Sequence, residues 1–122
     1  MSPIRIACVV RILPGNLQEF QRQAGLLIAM VRDRESDTAL VYEYAHAQDD
    51  PEIVHIHEVY RRWNDMRTHS KNVAEVAPYF HSLFEVVSLS ICGDDPPKDL
   101  IDKYRERCGS RVIFYSEVIP PL

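Results

Sequence analysis

From Ile4 to Ile12 the chain alternates, with Ile4, Ile6, Cys8, Val10 and Ile12 on one side and Arg5, Ala7, Val9 and Arg11 on the other. A period of two predicts a strand, and the turn pair Pro14-Gly15 closes it. The period then lengthens. Leu17, Phe20, Ala24, Leu27, Ile28 and Val31 recur at helical spacing and predict a helix from about Leu17 to Asp33, with Asn16 as cap and Glu19 completing a capping box. Alternation returns over Thr38 to His46 and over Ile53 to Tyr60, and the loop residues Gln48-Asp49-Asp50-Pro51 between them predict a hairpin. Trp63 to Ser70 and Val73 to His81 read as two short helical pieces, the second interrupted by Pro78. Phe84 to Cys92 is apolar and β-branched, hence a strand, and Gly93-Asp94-Asp95-Pro96-Pro97 stops it. An Asp cap should then start a helix over Leu100 to Arg107, which Gly109 ends, before a last strand from Val112 to Val118.

The order is β-α-β-β-α-β with an α-β extension, which predicts an α+β, ferredoxin-like fold with an antiparallel sheet carrying helices on one face. A single domain is expected over 1–122, with a core at about 4–92 and the extension at about 93–122. Both alternating sets of the first strand are apolar at its middle. On the fourth strand, strict alternation puts Val87, Leu89 and Ile91 opposite Val86. One helical layer covers one side only. A second copy packed sheet to sheet would bury the other, so a homodimer closed into an α+β barrel is expected.

Composition narrows the function. Of the 122 residues, 46% are apolar and 26% charged, an ordinary globular mixture, and the formal charge is −4 with no basic run. That pattern argues against nucleic acid and anionic membrane as partners. No apolar stretch approaches the roughly 18 residues of a membrane span, and no charged segment leads into an apolar core at the start, so a cytoplasmic protein is expected. Cys8, Cys92 and Cys108 are odd in number, widely spaced and without a C-x-x-C pair. Reduced thiols are therefore expected rather than a disulfide framework or zinc ribbon.

Val10-Arg11-Ile12-Leu13-Pro14-Gly15-Asn16-Leu17-Gln18-Glu19-Phe20 resembles the opening of antibiotic biosynthesis monooxygenase (ABM) domains, in which a strand ends in a Pro-Gly turn before a helix with an early Phe. Leu40-Val41-Tyr42 to Asp50-Pro51 resembles the family's hairpin. Glu58-Val59-Tyr60, Trp63-Asn64-Asp65 and His69 resemble its pattern of Glu-x-aromatic followed by His on the next helix. The resemblance spans about Ile4 to Ile91 and implies a dimeric α+β barrel. Members include oxygenases that act on anthrones or quinols without metal or flavin, haem-degrading enzymes, and proteins of unknown role. The haem-degrading branch uses an Asn on the first strand, a Trp in the second helical region and a downstream His. Here the first strand has no Asn, His69 stands about where that Trp would be, and His81 lies near the His position. Tyr60 stands where many relatives have Trp.

The resemblance thus implies cofactor-free oxygenation of a small aromatic or quinol-like molecule by O2. That chemistry needs a base, donors for an oxyanion and a dry pocket. His69 is the candidate base, the alternative being a half-buried structural histidine. Glu58 shares its strand face with Val54, Ile56 and Tyr60, so its carboxylate must find a partner: His69, Arg61, Arg62 or a structural salt bridge. Tyr42, Tyr44 and Tyr60 suit an oxyanion or an aromatic ligand, Trp63 the closure of the pocket, and Phe80, Phe84 and His81 its walls; for the aromatics the alternative is core packing. His55 and His57 form a His-x-His pair able to supply two metal ligands, with His46 or Glu43 across the hairpin as candidate thirds; the alternative is a pair facing a dimer interface. No metal or other cofactor is expected. Cys8 and Cys92 sit in apolar strands and should be inert, and Cys108 should be the most exposed thiol. The competing function is a non-catalytic dimeric module that binds a small hydrophobic metabolite.

Overall fold

A computed structural model describes residues 2–116 and 119. Its elements are β1 (Ile4–Ile12), α1 (Leu17–Arg34), β2 (Ala39–His46), β3 (Ile53–Tyr60), α2 (Trp63–Asn72), α3 (Ala77–His81), β4 (Phe84–Cys92), α4 (Lys98–Cys108) and β5 (Val112–Tyr115). The sheet order is β2-β3-β1-β4-β5. The first four strands are antiparallel neighbours, and β5 adds to β4 in parallel. This is the expected ferredoxin-like α+β arrangement, extended by one α-β unit. Glu117 and Val118, the end of the expected last strand, lie outside the described residues.

Local chemistry departs from expectation at the caps. Gly15 takes φ +85°, a left-handed turn conformation that glycine adopts freely. Asn16 then enters α1 with ψ near 4° and makes no side-chain cap. Its Nδ2 instead donates to the Leu83 carbonyl, at 3.4 Å, tying the start of α1 to the residue that precedes β4. Glu19 is held by Arg22 at 2.6 Å and Gln23 at 3.0 Å, so no capping box forms. Pro78 starts α3 rather than interrupting it, since a missing N–H costs nothing in a first turn. The N-cap of α4 is Pro97, not an Asp.

In β4 the strict alternation expected from the sequence is broken. Val9 pairs with Ser88 and Val10 with Val86, leaving Val87 as the extra residue of a bulge. One inserted residue reverses the phase of alternation. Phe84 and Val86 therefore join Leu89 and Ile91 beneath the helices, and Val87 is half exposed.

Two core clusters form on the helix side. One joins Val10, Ile12, Phe20, Leu27, Val54, Phe80 and Phe84. The other joins Ile4, Ile6, Tyr60, Met66, Leu89, Ile91, Leu100 and Cys108. Cys8 and Val86 touch both, and the gap between the clusters is the site described next.

Candidate functional site

Between the two clusters lies a cavity of about 160 Å³. Ile6, Cys8, Ile56 and Leu89 form its floor, Tyr42, Tyr44, Phe80 and Phe84 its aromatic walls, and Glu58 and His69 its polar side. Its volume is close to the roughly 150 Å³ of an apolar cavity that takes up benzene. A single aromatic ring fits.

The polar side is built from three elements. Glu58 points from β3 toward the helices because Ile56 and Tyr60 share its face. Helix α2 brings His69 above it, and the end of α1 brings Glu35. The Glu35 side chain is 1% exposed, and its carboxylate lies 3.0 and 3.2 Å from His69 Nδ1. Asn72 Nδ2 donates to the same carboxylate at 3.1 Å. A carboxylate only accepts, so Nδ1 carries a hydrogen and donates it. Nε2 faces Glu58 Oε1 across 3.7 Å, too far for a hydrogen bond. That nitrogen has no hydrogen-bond partner among the described residues and stands at the cavity edge.

Glu58 is held in its turn. The Tyr60 hydroxyl donates to its Oε1 at 2.5 Å. Burial, and then the Glu58 charge, push the Tyr60 phenol far above its ordinary value, and the same two causes raise Tyr44. Burial, then the Tyr44 hydroxyl, then Glu58 do so for Tyr42. All three are therefore neutral donors. The Tyr42 and Tyr44 hydroxyls are 2.9 Å apart, so one donates to the other and the second hydroxyl hydrogen is free for a ligand. Partial burial, reinforced by Glu58, pushes the Cys8 thiol up to about 12, which keeps this half-buried cysteine protonated and inert at neutral pH.

Helix α4 closes the other side with Lys103, Tyr104, Arg107 and Cys108. His81 accepts a hydrogen bond at Nε2 from Arg107 Nη2, at 2.8 Å. Burial, with Arg107 and Lys103 beside it, lowers His81 to about 4. Its imidazole is therefore neutral at physiological pH.

The structure thus gathers Glu58, His69, Tyr42, Tyr44, Phe80, Phe84 and His81 around one cavity. Tyr60 is completely buried behind Glu58, so it reaches a ligand only through that carboxylate. Trp63 does not close the pocket: its indole Nε1 donates to the Asp94 carbonyl at 2.8 Å, which turns the ring against Gly93 at the end of β4. Cys108 is buried rather than exposed, because α4 lays it on the sheet. His55 and His57 lie on the opposite sheet face, with His57 Nδ1 at 3.4 Å from Glu43. His46 turns instead to Gln21 at 3.2 Å and to the Pro51 carbonyl at 2.6 Å. Among the described residues no three His, Cys, Asp or Glu side chains are grouped to hold a metal ion, and no helix is long and apolar enough to cross a membrane. Sequence reasoning missed Glu35 and Asn72, which lie in polar stretches without periodic signal. It also missed Tyr104 and Arg107, although Leu100, Tyr104 and Cys108 recur at one-turn spacing.

No protein-family profile matches the sequence, and no curated protein is significantly similar to it. Solved structures share its fold. MupZ from Pseudomonas fluorescens matches with a TM-score of 0.74 at 17% identity, over 100% of this chain and 95% of that one. A conserved protein from Methanosarcina mazei matches at 0.66 with 20% identity, over 75% of this chain and 91% of that one. A Bacteroides thetaiotaomicron protein provisionally designated an antibiotic biosynthesis monooxygenase matches at 0.60 with 18% identity, over 69% and 83% of the two chains. The chain therefore has the ABM-like α+β fold. The MupZ match takes in the C-terminal α-β unit as well, since it covers the whole chain.

Proposed function

We propose that this protein is a cofactor-independent monooxygenase that uses O2 on a small, one-ring quinol-like or enolisable substrate. The observation that carries the reading is the Glu35–His69 pair, which leaves Nε2 free at the edge of an aromatic cavity. His69 takes a proton from the substrate, and the free hydroxyl of the Tyr42–Tyr44 pair holds the resulting oxyanion. Glu58, fixed by Tyr60, and Glu35 together stabilise the imidazolium so formed. The electron-rich anion passes one electron to O2, and the radical pair combines to a peroxide anion, which takes the proton back from His69 to become the hydroperoxide. His69 then removes the second C–H proton as the O–O bond breaks and delivers it to the departing hydroxide, so that the CH2 of the substrate's keto tautomer and O2 give C=O and H2O.

A homodimer through the uncovered sheet face belongs to the same proposal. Val87, Ile113 and Tyr115, which are 50%, 52% and 47% exposed, stand on that face. No partner other than O2, the substrate and a second copy is invoked.

The test is oxygen uptake with a panel of one-ring quinols and cyclic diketones, comparing native protein with His69→Gln. Uptake that falls at least about 100-fold in the variant is the expected result. Ligand binding without uptake in either form returns the protein to the role of a binding module.

A further inference from the structure

Lys103 and Arg107 project from successive turns of α4 onto the rim of the cavity, on exposed positions of that helix. Among the described residues neither pairs with a carboxylate. Lys103 Nζ lies 5.6 Å from the centre of the Tyr104 ring. Arg107 is steadied by its single bond to His81, which uses one of five N–H donors. Among the described residues the rest of the guanidinium fork is unclaimed. The cavity is therefore bipolar, with Glu58 on the sheet side and two uncompensated cations at the rim, while Cys8 and Tyr104 between them feel both Glu58 and Arg107.

We propose that the ligand of this cavity is an amphipathic carboxylate, its ring or apolar body against Tyr42, Phe80 and Phe84 and its carboxylate on Arg107 and Lys103. The proposal rests on the reading of the cavity as a ligand site and names the class of molecule it takes. A planar carboxylate matches the guanidinium fork, and the anion neutralises a pair of like charges that now repel across one turn of helix. It also gives the C-terminal extension a role. Without α4 the cavity would have neither cation.

The arrangement carries its own reporter. His81 is kept neutral by burial and by those two cations. An anion bound between them raises the His81 pKa, whereas an uncharged ligand in the same cavity leaves it where it is.

Phenylpropanoate and phenylpropanol are a matched pair of probes, and their dissociation constants are measured by NMR titration, with no turnover. The expected result is a preference of about fivefold for the acid at low salt, modest because the rim is solvated. That preference should shrink in high salt and vanish in Lys103→Gln/Arg107→Gln, while the affinity for the alcohol stays the same. The imidazole carbon-bound proton signals of His81 should report a raised pKa with the acid alone. Equal affinity for the two probes, a preference that survives the double variant, or no binding of either would overturn the proposal. Because oxygen uptake is not involved, a carboxylate preference in a protein that consumes no oxygen separates this inference from the monooxygenase reading.

Discussion

His69 is a histidine with two carboxylates around it, and its two nitrogens have different tasks. The Glu35 bond at Nδ1 fixes the ring, and Nε2, 3.7 Å from Glu58, is the nitrogen that the proposed function uses as base. His69 was singled out by the family resemblance, and Glu58 was legible as an inward-facing carboxylate through its alternation with Val54, Ile56 and Tyr60. Glu35 was not, because it follows α1 within Arg34-Glu35-Ser36-Asp37, where nothing distinguishes a buried carboxylate from a solvated one. Only the tertiary contact with α2 buries it. His81 yields a prediction at the same scale. Its folded-state value of about 4 lies below the ordinary 6.5, so between those values the unfolded chain binds the extra proton. Its contribution to stability is present above about 6.5 and is lost as pH falls toward about 4. Urea unfolding should show native protein losing stability from pH 7 to pH 5 by on the order of 1 kcal/mol more than His81→Gln, since water screens the partly exposed ring. Parallel losses in the two proteins would assign the acid limb to other groups.

At the scale of elements, periodicity located β1 to β3, α1 and the α2–α3 region, and β-branched composition with Pro and Gly punctuation located β4, α4 and β5. It failed where one residue or one cap decides. The bulge at Val87 leaves no mark in a run of β-branched residues, yet it sets which side chains of β4 line the cavity. The sequence also did not disclose that Trp63 serves the β4–α4 joint. Gly93 is the close approach there: a Cβ would sit 2.6 Å from Ile4 Cδ1 and 2.8 Å from Trp63 Cζ2. The indole is pinned by Asp94, so it yields little. Gly93→Ala should cost about 1–3 kcal/mol. Because the chain has one Trp, its fluorescence should shift in the folded variant as the ring is displaced. A variant with native stability and an unchanged spectrum would mean that the joint is looser than described.

For the molecule as a whole, the ferredoxin-like order and its extension were readable from the sequence of periods. The cavity was not, since it arises where two core clusters fail to meet, and no linear pattern records a gap. The uncovered sheet face bears on assembly. Native protein should sediment at twice the chain mass at micromolar concentration, and Val87→Lys, which puts a charge on that face, should shift it toward monomer. A native monomer at that concentration would remove the dimer from the account. Nitrogen-15 NMR of the histidine side chains reads whether Glu35 holds His69 with Nε2 ready to take a proton. Native protein at pH 7.5 should show His69 protonated at Nδ1 and bare at Nε2, with that order lost in Glu35→Gln. A proton on Nε2 in the native protein would contradict the account, because that nitrogen could not then act as the base.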